Sequence, residues 1–335
     1  MTDSKTAAAP RTPVLDFLSK GSTQFGLFII VALFWVFFSS LAPGFLSRFN
    51  LNSLGRSLAI DIVIGFAQMV VLATGGMNLS VGAIGVCAVM LTGYLLQTLG
   101  LPIPVAIVGV LLGGAALGWL NGFAIVKTGV NSFIVTLASA SLFSGGMLIL
   151  TKAVPFNALP PAIAEFGKSN VGGLPTLMIV AIAIGIGLFV LYRYTRLGRE
   201  ILAAGANARA AQMSGVPVGR AIIFSHALSG ALAAAAAIML TTRLGAAMPS
   251  VGGDDWLLPS FLAPVLGGTL LAGGMVSVIG TMLGAALVTT IRSGLLVLQV
   301  GNFWLQLFLG VILLAAVLLE RYRAALSLKR QAHRA

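Results

Sequence analysis

The amino-acid sequence predicts an all-α, polytopic membrane protein with about ten transmembrane helices. Of its 335 residues, 58% are hydrophobic and 8% are charged, and the mean hydropathy is +1.04. Apolar runs of roughly 20 residues, enough to cross a bilayer as a helix, recur along the chain. Because these runs are continuously apolar rather than alternating with polar residues, they exclude a transmembrane β-barrel, the other fold that satisfies its backbone in lipid.

Ten runs have the length and composition of membrane spans: 25–42, 58–74, 79–98, 103–126, 133–151, 174–192, 221–242, 257–272, 276–298 and 303–319. The first follows basic residues, as a signal anchor does, but no convincing cleavage site accompanies it, so we keep it as a span. We divide the chain into an N-terminal tail at 1–24, a transmembrane domain at 25–320 and a basic C-terminal tail at 321–335.

The distribution of Lys and Arg orients these spans. With both termini in the cytoplasm, most of the 20 Lys and Arg residues lie on the cytoplasmic side, as the positive-inside rule requires. Arg48 and Arg56 then fall in the outer loop after the first span, and the segment 193–220 lies in the cytoplasm. The same pattern accounts for the net charge of +12, so we expect no nucleic-acid partner.

The 193–220 segment is a cation-rich insertion between two apolar runs. It carries one acid, Glu200, against five arginines: Arg193, Arg196, Arg199, Arg209 and Arg220. This composition predicts a helical surface at the cytoplasmic face rather than a span. Two interpretations fit it: a docking surface for another protein, or a solvated loop that only obeys the positive-inside rule.

Two glycine-rich segments interrupt the apolar runs, and we call them the first break (GGMNLS, 75–80) and the second break (AGGMVS, 272–277). Each contains a Gly-Gly-Met triplet after an apolar run, with a Ser-Val pair shortly after it. Transporters built from repeated halves often bind their solutes at discontinuous helices. The echo therefore indicates either an internal repeat or a chance recurrence of common residues.

The sequence contains no catalytic constellation. Gly167, Lys168 and Ser169 match the end of a phosphate-binding Walker A loop, but Ala162 stands where that motif needs glycine. We therefore expect no ATP hydrolysis by this chain, no bound cofactor and no metal site. A membrane-embedded enzyme is correspondingly disfavoured.

Four blocks of the sequence carry a family resemblance. They are GGMNLSVGAIG at 75–85, NGFAIVKTGVNSFIVTLASASLFSGG at 121–146, the stretch 198–217, and LAPVLGGTLLAGGMVSVIGTMLGA at 262–285. In this order they resemble the permease subunits of bacterial ABC sugar importers of the ribose, xylose and galactose type. The chain departs from the family pattern at Asn78, where Asp is usual, and at Arg209, where an acidic residue is usual.

The resemblance implies a multi-pass permease domain surrounded by lipid in the bacterial inner membrane, paired with a copy of itself or with a paralogous permease. It further implies a periplasmic sugar-binding protein and two cytoplasmic ABC ATPase domains, which use ATP and Mg. The ATPase would dock on the 193–220 segment. The residues that match the docking motif are Gly198, Arg199, Glu200, Gly205, Asn207, Arg209, Ala210, Ala211 and Gly215.

A set of uncharged polar residues is the candidate translocation pathway for a monosaccharide or related polyol. A conduit for such a solute needs amides, hydroxyls and aromatic faces, because the solute offers hydrogen-bonding groups without charge. The candidates are Asn78, Ser80, Asn121, Asn131 and Phe133. For Asn131 and its neighbour Ser132 the alternative is helix capping, which both residue types do well.

Asp61 and Arg292 are the charged residues that fall well inside apolar runs. Charges at membrane depth are costly, so we expect both to face the protein interior and to pair; the alternative is an Asp61 hydrated near the membrane surface. The competing function is an ion-coupled secondary transporter of a small polar solute. Asp61 and His226 are the candidates for its ion site, although a packed, hydrogen-bonded histidine also fits His226.

Overall fold

The computed structural model describes residues 13–299 together with residues 304, 307, 308, 310, 311 and 314, and the side chains from residue 24 onward within these except that of Asp254. The described chain is almost entirely helical. Its α-helices, α1 to α12, are Pro13–Leu41, Arg48–Leu72, Val81–Gly93, Ile103–Thr128, Ser132–Thr151, Pro161–Lys168, Thr176–Tyr194, Arg196–Ala206, Ala208–Met213, Val218–Leu244, Leu257–Leu266 and Val278–Val297.

Three minor elements complete this order. A π-helical turn, Tyr94–Thr98, extends α3, and a 3₁₀ helix, Gly253–Trp256, precedes α11. Strands β1 (Asn170–Val171) and β2 (Leu174–Pro175) form a small antiparallel hairpin before α7, with Asn170 opposite Pro175.

Eight of the described helices are long and apolar enough to cross a membrane. They are α1 (from Gln24), α2, α3 with its π-helical turn, α4, α5, α7, α10 and α12. Together with the family match reported below, they confirm the all-α, polytopic fold class. The predicted span 303–319 lies outside the described residues apart from isolated positions.

The predicted span 257–272 needs a correction. The helix there, α11, ends at Leu266 after ten residues, about 15 Å, which is half the thickness of a bilayer core. Pro264 already lies inside its last turn, and Gly268 has a φ of +85°, a conformation that favours glycine and does not continue a helix. The chain then runs without regular structure to Ser277, which caps α12.

The start of α2 also differs from the prediction. The helix begins at Arg48 rather than at residue 58, because the Ser47 hydroxyl accepts a hydrogen bond from the Asn50 N–H at 3.2 Å and caps the helix. Arg48 and Arg56, which we placed in a loop, therefore lie on the first turns of α2. The Arg56 guanidinium donates to the carbonyl of Lys168, which ties α2 to the C-terminal end of α6.

The second helix is the centre of the molecule. In its apolar stretch 78% of the residues are buried, against 11% for α1 and α5, which lie at the periphery. Helices α10, α11 and α12 pack around α2, and α3 packs against α10. Trp256, in the short helix before α11, is buried against α3, where a Cβ on Gly85 would overlap its ring.

Helices α4 and α10 approach so closely that their backbones touch. A Cβ on Gly114 would lie 2.5 Å from the Gly230 carbonyl oxygen, and one on Gly118 would overlap the carbonyl oxygen of His226. Small residues at such contacts allow close packing of membrane helices. His226 itself is fully buried between these helices, with Nδ1 3.0 Å from the Ile222 carbonyl oxygen. His226 is therefore a packed, hydrogen-bonded histidine, which is the second of the two interpretations that the sequence allowed.

This packing predicts the effect of adding a single methyl group. Gly118→Ala should destabilise the protein by about 1–3 kcal/mol, the usual cost of overpacking a tight contact. Gly187→Ala, in α7, is the matched control, because nothing lies within 4 Å of its added Cβ. Thermal unfolding in detergent should show a lower Tm for Gly118→Ala only; equal Tm values for the two variants would contradict the close contact.

Candidate functional site

The 193–220 segment folds into two short helices, α8 and α9, with defined ends. The Thr195 hydroxyl accepts from the Gly198 N–H at 3.0 Å and begins α8. Asn207, in an extended conformation, separates the helices, and its side-chain oxygen accepts from the Ala210 N–H at 3.0 Å to begin α9. Gly215 follows α9 with a φ of +79°, which favours glycine. Asn207 and Gly215, both in the docking motif, thus set the shape of the segment.

One face of α8 is anchored to the rest of the protein. Gly198, Ile201 and Ala204 are buried, and a Cβ on Gly198 would overlap the Leu191 carbonyl oxygen at the end of α7. Arg199 lies on the exposed face. Glu200 makes an ion pair with Arg196 at 2.8 Å on the helix surface, and surface pairs of this kind contribute little to stability.

The exposed surface of α9 combines charged, small and apolar side chains. Arg209 and Ala210 are exposed, whereas Ala211 is buried, so the two alanines of the docking motif point in different directions. Met213 is 91% exposed, a large apolar side chain left uncovered at the end of the helix. Our reading of the sequence missed Met213; the signal was a methionine within an otherwise polar and small-residue stretch.

The C-terminal end of α8 lies against both breaks. A Cβ on Gly205 would overlap the carbonyl oxygen of Ala73, next to the first break, and would lie 2.6 Å from the backbone nitrogen of Gly274 in the second. The Gly274 N–H donates to the Ala73 carbonyl at 3.0 Å and so joins the second break to the end of α2, just before the first break. The docking motif and the glycine-rich breaks, far apart in sequence, are therefore neighbours.

Three of the candidate pathway residues form one buried hydrogen-bond chain. The Asn121 amide donates to the Ser80 hydroxyl at 2.8 Å, and that hydroxyl donates to Asn78 Oδ1 at 2.7 Å. The Asn78 amide then donates to the hydroxyl of Ser229 in α10 at 2.9 Å. All four side chains are at most 2% exposed. The chain links α4, the first break and α10, and Ser229 is a member that the sequence did not single out.

Gln68 of α2 adds a third buried amide to this network, after those of Asn78 and Asn121. When its side-chain amide is oriented so that both nitrogen and oxygen are hydrogen-bonded, the nitrogen donates to the Asn78 carbonyl at 2.9 Å. The oxygen then accepts from the Asn78 N–H at 3.3 Å. Asn78 is thus held through its backbone by α2 and through its side chain by α10. In this conformation its polar groups bond to protein rather than to an open conduit.

The other two pathway candidates lie on the surface at the start of α5. Asn131 caps that helix, since its side-chain oxygen accepts from the Phe133 N–H at 2.8 Å, and the Phe133 ring is 45% exposed. The neighbouring Ser132 hydroxyl accepts from the Met77 N–H in the first break at 3.0 Å. Capping is therefore one role of Asn131, and the pathway set is divided between a buried group and an exposed pair.

Asp61 and Arg292 meet between α2 and α12. Their closest side-chain atoms, Asp61 Oδ2 and Arg292 Nη1, are 3.5 Å apart, and the Thr289 hydroxyl donates to the same carboxylate oxygen at 2.8 Å. The Asp61 side chain is 8% exposed and that of Arg292 is 32% exposed. His226 lies between α4 and α10 instead. The two residues proposed for an ion site thus occupy different helix pairs.

Comparison with known proteins places this geometry in a family. Residues 52–317 match the family described as branched-chain amino acid transport system / permease component. The chain is 36% identical to the ribose import permease protein RbsC of Bacillus subtilis (strain 168), over 90% of this chain and 92% of that protein. It is 31% identical to the D-allose transport system permease protein AlsC of Escherichia coli (strain K12), over 89% of this chain and 91% of that protein.

A third relative is the autoinducer 2 import system permease protein LsrD of Salmonella typhimurium, 34% identical over 80% of this chain and 83% of that protein. No solved structure matches the chain.

The buried network predicts unequal effects for two asparagines. Asn78→Ala leaves the Ser80 N–H and hydroxyl without their acceptor, and each buried group left unbonded costs about 1–3 kcal/mol. Asn131→Ala removes an exposed helix cap and should cost only about 1 kcal/mol. Thermal unfolding of the two variants checks this order, and an Asn78→Ala no less stable than Asn131→Ala would refute it.

Proposed function

The chain belongs to the family described as branched-chain amino acid transport system permease components, and on that basis we propose that it is the transmembrane permease subunit of an ATP-driven ABC importer. It is a multi-pass membrane transport subunit rather than an enzyme. Membership favours this function over an ion-coupled secondary transporter. The separation of Asp61 from His226 in the structure supports the same choice.

The proposed solute is a monosaccharide or a related polyol. The family description names branched-chain amino acids, but the relatives above are named for ribose, D-allose and autoinducer 2. A zwitterionic amino acid would need charged partners in the membrane. Asp61 and Arg292, the charges predicted there, bond to each other instead. The amides and hydroxyls around the first break suit a solute that offers hydrogen bonds without charge.

The proposed partners follow from how such a subunit would work. A periplasmic binding protein would deliver the solute, and two cytoplasmic ABC ATPase domains would bind ATP and Mg, with no cofactor or metal held by this chain. A second permease subunit, a copy or a paralogue, would cover exposed groups such as Phe133 and complete the pathway. Both termini and the 193–220 segment would face the cytoplasm of the bacterial inner membrane, which the Lys and Arg distribution supports.

The coupling proposal rests on the structure of the 193–220 segment. Its two helices are capped, α8 is anchored through a buried face, and α9 presents Arg209, Ala210 and the uncovered Met213 to the outside. A solvated loop needs neither fixed ends nor an exposed methionine. An apolar side chain surrounded by small and polar residues suits insertion into a cleft of a partner protein.

Purification and reconstitution test the function directly. The tagged chain should co-purify with an ATPase from mild detergent. Proteoliposomes that also receive the periplasmic binding protein should take up radiolabelled ribose or D-allose only when ATP is supplied. Uptake driven by an ion gradient, with no ATPase present, would overturn the proposal.

A substitution at Met213 predicts how the ATPase binds. Met213→Glu should remove the co-purifying ATPase, because burying an unpaired carboxylate in the interface costs several kcal/mol. Met213→Leu, which conserves volume and polarity, is the matched control and should retain it. Since this side chain contacts little of its own chain, both variants should keep the wild-type Tm. Retention of the ATPase by Met213→Glu would show that α9 is not the docking surface.

A further inference from the structure

We propose that the contact between α8 and the two breaks is a rigid junction, which moves as one body and carries a displacement of the 193–220 segment to both breaks at once. The inference rests on the proposed coupling function and assigns the positioning residues that would deliver it: Gly75, Gly205, Gly273 and Gly274.

The first step is that the backbone of α8 lies directly against the second break and against Ala73, just before the first break. A Cβ on Gly205 would overlap the Ala73 carbonyl oxygen and lie 2.6 Å from the Gly274 nitrogen. A Cβ on Gly274 would in turn lie 2.7 Å from the Cα of Ala206, the last residue of α8. No side chain separates these three stretches, so no rotamer change can absorb a movement between them.

The second step is that the breaks also touch each other. A Cβ on Gly273 would lie 2.5 Å from the Gly75 nitrogen and 3.0 Å from the Gly205 carbonyl oxygen. The Gly274 N–H donates to the Ala73 carbonyl at 3.0 Å. Gly75, Gly273 and Gly274 have φ values of +74°, +88° and +80°, so a side chain there would meet backbone strain as well as contact. The repeated Gly-Gly-Met triplet thus places glycine where the close approach of the two breaks requires it.

The third step is what lies beyond the junction on each side. Three residues after Gly75 comes Asn78, the centre of the buried network. Three residues after Gly274 comes Ser277, whose hydroxyl accepts from the Gly280 N–H at 3.0 Å and from the Gln24 amide at 3.0 Å. Closely packed elements transmit small shifts rather than dissipating them. A shift of α8 would therefore reach the starts of α3 and α12 together.

A cross-link tests whether the junction moves as one body. In a Cys87→Ser background, which removes the single cysteine, Leu202→Cys and Met275→Cys line one cavity of about 340 Å³, bordered by α7, α8, the second break and the start of α12. A short bifunctional methanethiosulfonate should join them without loss of ATP-driven ribose uptake in proteoliposomes. Each single-cysteine variant treated with the same reagent is the control. Uptake that is lost on cross-linking, and restored by reduction, would overturn the proposal.

An added methyl group in the junction tests whether the junction transmits movement. Gly274→Ala, outside the 193–220 segment, adds a Cβ 2.7 Å from the Cα of Ala206. It should leave the co-purifying ATPase and its ATP hydrolysis in place, while ribose uptake per ATP hydrolysed falls about tenfold or more, the rate equivalent of ordinary overpacking strain. Gly187→Ala, with open space around its Cβ, should match wild type. Wild-type uptake per ATP in Gly274→Ala would overturn the junction.

Different results would refute the proposed coupling function and the proposed junction. A wild-type chain that purifies without an ATPase would refute the coupling function itself, whereas an ATPase that stays bound and drives normal uptake in Gly274→Ala would refute only the junction. Because the cross-linked chain retains Gly274, that experiment decides the question even where Gly274→Ala does not accumulate in the membrane.

Discussion

The structure depends on one constraint: where a chain leaves the helix inside a bilayer, lipid cannot bond its freed backbone groups, so the protein must. In the first break the protein itself bonds the backbone groups freed between α2 and α3. The Met77 N–H donates to the Ser132 hydroxyl and the Leu79 N–H to the Thr136 hydroxyl, each at 3.0 Å. Both acceptors belong to the first turns of α5. The interruption between α2 and α3 therefore fixes the position of a neighbouring helix.

The polar residues around the first break have a structural role, and the proposed pathway would give them a second one. Asn78, Ser80 and Asn121 satisfy one another in the conformation described, and together they join α4 and α10 to the break. A solute that entered this region would have to replace those bonds with its own hydroxyl groups. Sugar hydroxyls can do so at little cost, because they both donate and accept. A structural network and a polyol pathway are thus compatible uses of one set of side chains, in different conformations.

Much of the fold was predictable because hydropathy measures the property that a membrane-spanning helix needs, a long apolar run. Eight described helices coincide with predicted spans, but α11 does not, since averaged hydropathy cannot detect that Pro264 and Gly268 end a helix within an apolar run. The site was less predictable. Sequence motifs indicated the two breaks and the 193–220 segment, yet Ser229 and Met213 emerged only from contacts and exposure. Ser229 lies outside the four blocks, Met213 lies in the third without matching its motif, and their roles depend on which element folds beside them.

The glycines explain how the 193–220 segment and the membrane helices come into direct backbone contact. In α4 and α10 they bring two long helices into backbone contact, which stiffens the body of the protein. At Gly205 the same chemistry joins a surface helix to the two places where the membrane helices are interrupted. A partner that pushes on an exposed helix does work on the membrane domain only if that helix is fixed to the parts that move. Here the fixed contact falls at the breaks, where interrupted helices have the fewest backbone bonds of their own to resist a shift.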